Sequence, residues 1–136
     1  MIGVLVLTHG AAGEHLLATA TQIVGKPRMR AAAIGVEPDA DPGAVLQRAR
    51  SVAAQLDDGS GVLVLTDMYG ATPGNIAGGL LADGRIEGVA GLSLPMLVRV
   101  LSGDDRTLAD AVKRALSGGA EGVLHMNQDC CRDAKR

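Results

Sequence analysis

Short, wholly apolar runs that stop abruptly at a polar residue, each followed by an amphipathic stretch, constrain this chain more than any other feature. Ile2–Leu7 and Val62–Thr66 are the clearest of them, and two weaker strands are read at Met29–Val36 and Ile86–Ala90, which Arg30 and Glu87 interrupt. Runs of this length without polar alternation belong to strands buried on both faces, as in a parallel sheet covered by helices. Between them, apolar residues recur at helical spacing. Leu16, Leu17, Ala20, Ile23 and Val24 mark a helix over Ala11–Val24, and Val45, Leu46, Ala49, Val52, Ala53 and Leu56 mark a second. Leu108, Ala111, Val112, Ala115 and Leu116 predict another over Asp104–Leu116, and shorter helices are expected over Asn75–Leu81 and from Pro95 to Leu101.

The punctuation agrees with this reading. Asp41 followed by Pro42 has the form of an N-cap with proline at the first helical position. Gly25 with Pro27, the run Asp57–Gly61, and Gly118-Gly119 read as helix stops. A brief last strand, Val123–Met126, is expected at a sheet edge, where it is also a candidate for pairing with another subunit. No internal repeat and no linker is evident, so one domain is expected over residues 1–126, followed by a polar, disordered tail over 127–136. The predicted fold is α/β, a three-layer sandwich with a mostly parallel sheet and helices on both faces. Right-handed βαβ units collect their loops at one edge of such a sheet. The loops after the first, third and fourth strands, Thr8–Gly13, Thr66–Asn75 and Gly91–Met96, are therefore expected to meet.

Composition closes off several classes of function. Tyr69 is the single aromatic residue among 136, which leaves no platform for stacking bases. The net charge of −2, from 13 basic and 15 acidic side chains, argues against nucleic acid as a partner. The apolar N-terminus lacks a basic flank and is too short for a signal segment or a membrane span, so a cytoplasmic protein is expected. Cys130 and Cys131 are adjacent in the polar tail, with no metal-ligand spacing around them, and read as free thiols. Three histidines with no carboxylate or cysteine at ligand spacing make no metal site.

The chemistry-bearing residues gather at strand ends. His9 follows the first apolar run and precedes a helix, where ligands bind in open α/β sheets. A histidine there is either a turn residue or one that accepts or passes a phosphoryl group. Phosphorylation needs a neutral imidazole with one nitrogen exposed and the other holding its proton against an acceptor. Asp67, at the end of the third apolar run, faces His9 if the two strands are neighbours; otherwise it is a turn or capping aspartate. Gly70-Ala71-Thr72-Pro73-Gly74 can offer backbone N–H groups and the Thr72 hydroxyl to phosphoryl oxygens at a helix start, although Thr72-Pro73 is also an ordinary helix entry. The spacing is not that of a Walker loop, and no GxGxxG or Gly-x-Ser-x-Gly motif is present. Thr8 and Gly10 frame the histidine. His15 reads as a surface residue, His125 as a structural one in the terminal strand, and Arg99 as either loop-facing or solvating.

Taken together, LVLTHGAAGEHLL, LTDMYGATPGN and GLSLPML resemble the mannose-family enzyme IIA domain of the phosphoenolpyruvate-dependent sugar phosphotransferase system, over Met1 to Met126. The resemblance implies a phosphocarrier that accepts a phosphoryl group from phospho-HPr on His9 Nε2, with Nδ1–H facing Asp67. It places Thr72 near the phosphoryl group, where the reading of the residues also puts Gly70, Ala71 and Gly10, and implies transfer of that group to a IIB protein or its use as a regulatory signal. It also implies a homodimer in which the last strand joins the partner's sheet. No metal or organic cofactor is implied, and the membrane is reached only through other components of the system. Two alternatives share the strand-terminal histidine: the phosphoryl donor subunit of a dihydroxyacetone kinase, and a purely regulatory module that docks according to its phosphohistidine. The chain departs from the family in having Ala71 where a second glycine is common and Ser93 where asparagine is usual. It also reaches Arg136 without a fused IIB domain.

Overall fold

The computed structural model describes residues 1–104 and 106–128. Four strands, β1 (Gly3–His9), β2 (Ala31–Val36), β3 (Val62–Thr66) and β4 (Ile86–Ala90), form one parallel sheet in the order β2-β1-β3-β4. Five helices cover it: α1 (Ala12–Val24), α2 (Pro42–Leu56), α3 (Thr72–Gly78), α4 (Leu94–Leu101) and α5 (Leu108–Glu121). Helices α1, α4 and α5 pack on one face against Val4, Val6, Leu63 and Leu65, while α2 and α3 pack on the other against Leu5, Leu7, Val62 and Val64. These eight strand side chains are fully buried, which accounts for the absence of polar alternation in their sequence. The three-layer α/β expectation holds.

The boundaries of β3 and β4 are those predicted from the sequence. β1 runs two residues further than its apolar run, because β2 continues alongside and pairs Val36 with His9. Helix α3 begins at Thr72, three residues before the expected start, with Pro73 in its first turn. Helix α5 differs more. It starts at Leu108, where the Thr107 hydroxyl accepts the Asp110 amide, and continues through Gly118-Gly119 to Glu121. Those glycines are packing residues, not a stop. A Cβ on Gly118 would lie 2.8 Å from Arg99 Cβ and 3.3 Å from Met96 Cα, so its absence lets α5 approach α4 closely.

The expected last strand is absent from this sheet. Residues 123–128 form no strand and are exposed, Val123 to 83%. With α5 extended to Glu121, only Gly122 separates the helix from Val123, too little chain to return to a sheet edge. His125 is accordingly an exposed residue outside any strand. Cys130, Cys131 and the rest of the tail beyond residue 128 lie outside the described residues.

Candidate active site

Strand order sets the site. From β1 the chain passes to β2 on one side and later to β3 on the other, so the carboxyl ends of β1 and β3 flank the point where the winding reverses. Ligands of open α/β sheets bind in that crevice. The register Leu7↔Thr66 brings Thr8 level with Asp67 and carries His9 one residue beyond. From there His9 reaches back twice to one oxygen. Its amide donates to Asp67 Oδ2 at 3.1 Å, and its ring Nδ1 lies 2.9 Å from the same atom.

An ionised carboxylate only accepts, so the proton in the ring contact sits on Nδ1, and a neutral His9 carries its lone pair on Nε2. The His9 side chain is 53% exposed and that of Asp67 only 24%, which buries the anchor and presents the ring. Burial pushes the Asp67 carboxyl up, yet the bonds from the His9 ring and amide outweigh it and hold the group below its ordinary value. The other oxygen, Asp67 Oδ1, is buried with no partner among the described residues, as is the neighbouring Thr66 hydroxyl.

His9 borders a cleft of about 510 Å³ shared with Gly10 and Thr72. Gly10 takes φ +47°, a turn conformation that suits glycine, and its amide donates to Val36 O at 2.9 Å. That amide is therefore already committed within the fold, and Gly10 shapes the turn that frames His9. Ala71 is the N-cap residue of α3, with no side-chain cap, and Gly70 before it turns the chain at φ +83°. The first-turn amides of a helix have no acceptor within it, so those of Thr72 and Gly74 are available to a ligand, while Pro73 has none. The sequence-predicted residues His9, Asp67, Thr72 and Gly10 thus converge, with Gly70 and Ala71 leading into the helix that carries Thr72.

One expectation changes. The Gly91–Met96 loop does not line the cleft; it is tied to the far side of β3 by the bond from Leu92 N to Thr66 O at 3.0 Å. Its strand, β4, stands two places from β1. The loop after β2 takes its place and contributes Glu37, Pro38 and Pro42 to the cleft wall. Sequence reasoning missed these residues because it left the strand order open; a β1–β2 neighbour pair would have revealed them. Ser93 caps α4 by accepting the Met96 amide at 3.3 Å. Arg99 pairs with Glu121 at 2.7 Å, away from the cleft, and His15 is exposed on α1. Among the described residues no group of three or more His, Cys, Asp or Glu is placed to hold a metal ion, and no helix is long and apolar enough to cross a membrane.

Comparison with known proteins narrows the reading. The profile of the EIIA-man family, described as the fructose IIA component of the phosphotransferase system, matches residues 3–117. The mannose-specific EIIAB component of Escherichia coli K12 is 34% identical over 125 residues, which are 90% of this chain and 38% of that protein. The chain thus spans little more than a third of the length of the curated relatives it matches. Among solved structures, the IIA protein associated with the fucose utilization operon of Streptococcus pneumoniae is 26% identical, with a TM-score of 0.80 and 93% of each chain covered. The mannose/sorbose-specific IIA subunit of Enterococcus faecalis shares the fold, with 22% identity, a TM-score of 0.81, and 90% of this chain and 92% of that one covered. Matched along nearly its whole described length, the chain belongs to the EIIA-man family of phosphotransferase-system IIA components.

Proposed function

We propose that the protein is a phosphocarrier of the sugar phosphotransferase system, with His9 as the residue that carries the phosphoryl group. One observation supports this above the others: the 2.9 Å contact between His9 Nδ1 and Asp67 Oδ2 at the ends of adjacent parallel strands, with the ring half exposed. The contact orients a lone pair outward on Nε2 and leaves a carboxylate behind the ring. In the forward step Nε2 attacks the phosphorus of the donor's phosphohistidine in line. The new Nε2–P bond forms as the donor's P–N bond breaks, and that electron pair returns to the donor imidazole. His9 keeps its Nδ1 proton throughout, and Asp67 balances the positive charge that develops on the ring. Thr72 and the first-turn amides of α3 act as donors to the phosphoryl oxygens. Gly70 and Ala71 position that turn.

The donor in this reading is phospho-HPr and the recipient a IIB protein or a regulatory target. Membership of the EIIA-man family favours this reading over a dihydroxyacetone kinase subunit or a purely regulatory module. A homodimer fits the exposed apolar side chains Val123, Leu124 and Met126, which a partner's sheet would cover. The test is incubation with phosphoenolpyruvate, enzyme I and HPr, followed by intact-mass and peptide mapping. One acid-labile phosphoryl group on His9, missing in His9→Ala, is the expected result. A folded protein that stays unmodified under these conditions overturns the proposal.

A further inference from the structure

The cleft beside His9 carries a charge pattern that phosphoryl chemistry alone does not explain. Among the described residues no lysine or arginine lines it, whereas Glu37 does. The loop bearing Glu37 is held against the histidine turn from two directions. Val36, its predecessor, pairs with His9 and accepts the Gly10 amide. Gly35, two residues before it, packs so closely under the Gly10 carbonyl that a Cβ there would overlap it. Pro38 and the bond from Ala40 N to Glu37 O, 3.1 Å, stiffen the chain beyond. The backbone at Glu37 is therefore held at the wall of the cleft that His9 borders.

A transferring phosphoryl group spreads negative charge over its equatorial oxygens, and cations normally stabilise that charge. Here the one charged residue along the wall is an acid, Glu37, whose negative charge repels an approaching anion. We infer that Glu37 selects the partner: it favours a phosphoryl donor that carries a lysine or arginine beside its phosphorylated residue, and disfavours one that does not. The partner's cation, seated between Glu37 and the phosphoryl group, supplies in trans the positive charge that the cleft itself lacks. Such a contact at an exposed rim acts mainly on the association rate and weakens as salt rises. This inference rests on the phosphocarrier reading above.

The experiment measures the rate of transfer from phospho-HPr to the protein at low and high salt, for the parent, Glu37→Gln and Glu37→Lys. The substituted side chain is exposed, so both variants are expected to melt with the parent. At low salt, Glu37→Gln is expected to slow transfer by about three- to tenfold and to flatten its salt dependence, and Glu37→Lys to slow it more than about tenfold. At high salt the three rates converge. A parent that accepts phosphate while Glu37→Gln keeps the same rate and salt dependence overturns the inference and leaves the phosphocarrier reading standing. A faster Glu37→Gln overturns it too, because the carboxylate would then only repel. A parent that is never phosphorylated brings down both.

Discussion

Strands β1 and β3 begin from the same six residues. Gly3-Val4-Leu5-Val6-Leu7-Thr8 and Gly61-Val62-Leu63-Val64-Leu65-Thr66 are identical, and they diverge only at the seventh position, His9 against Asp67. The match is too short to mark a duplicated unit. The two strands lie side by side but are offset by one residue, pairing Val4 with Leu63 and Leu5 with Val64. Side chains alternate faces along a strand, so the offset sends the valines of β1 and the leucines of β3 to one layer, and the reverse to the other. Each layer receives valine beside leucine. The lesson is that an interchangeable pair of strands can carry unlike functional ends, because the core fixes only what precedes the seventh residue.

The two threonines sharpen the contrast. Both are buried, yet Thr8 Oγ1 accepts the Gly13 amide at 2.7 Å while Thr66 Oγ1 has no partner among the described residues. One hydroxyl anchors the start of α1; the other is carried at a cost.

Breaking the functional difference at the seventh position is expected to have the largest effect. Asp67→Asn keeps the size of the side chain but can turn an NH₂ toward the ring and favour the wrong tautomer. We expect phosphorylation of His9 to slow by about 10²-fold with the melting temperature little changed. A rate equal to the parent in the phospho-HPr assay would remove Asp67 from the site. Next come the threonines. Thr8→Val strands the buried Gly13 amide and should lower unfolding free energy by about 1–3 kcal/mol, whereas Thr66→Val should be neutral or slightly stabilising. Urea denaturation of the two variants side by side decides it, and equal losses would mean that the hydroxyls are equivalent after all.

The smallest effect is in acid. Asp67 is held below the ordinary aspartate value of 3.8 by its His9 bonds, against the opposing push of burial. A carboxyl whose folded value is depressed lends stability that is complete above the unfolded value and fades as pH falls through the folded one. At the other end of the sheet Asp58 follows the same rule, drawn down to about 2 by its bond to the Met1 amine, 2.7 Å away, and by those to Ser60. Stability measured by urea titration should therefore decline below pH 4, and less steeply in Asp67→Asn than in the parent. Identical slopes would show that the His9–Asp67 pair adds nothing to the fold.

Much of this was legible in the chain. The bounds of β3 and β4 match the sequence reading to the residue, and the polar residues His9, at the end of β1, and Asp67, just after β3, are the pair that meets. Glycine was the weak point. At Gly118 the same residue type that ends helices instead permits one helix to press on another, and only the position of Met96 and Arg99 distinguishes the two. The cleft wall was hidden for a different reason. Glu37 reads as an ordinary turn residue until β2 is known to lie beside β1, and adjacency of strands is a property of the whole sheet.

The one-residue offset between twin strands has a consequence for how the chain folds. Paired flush instead of staggered, β1 and β3 would place like beside like with much the same hydrogen-bond ladder, but one strand would turn its side chains to the wrong layer. Nothing within the two hexapeptides distinguishes these arrangements. The arbiters are the contacts made at the two ends of the first hexapeptide: Gly3, whose missing Cβ leaves room for Leu56 of α2, and Thr8, whose hydroxyl accepts the Gly13 amide at the start of α1. The helices thus act as proofreaders of the sheet, and the spacing between His9 and Asp67 is inherited from a pairing that those helices have checked.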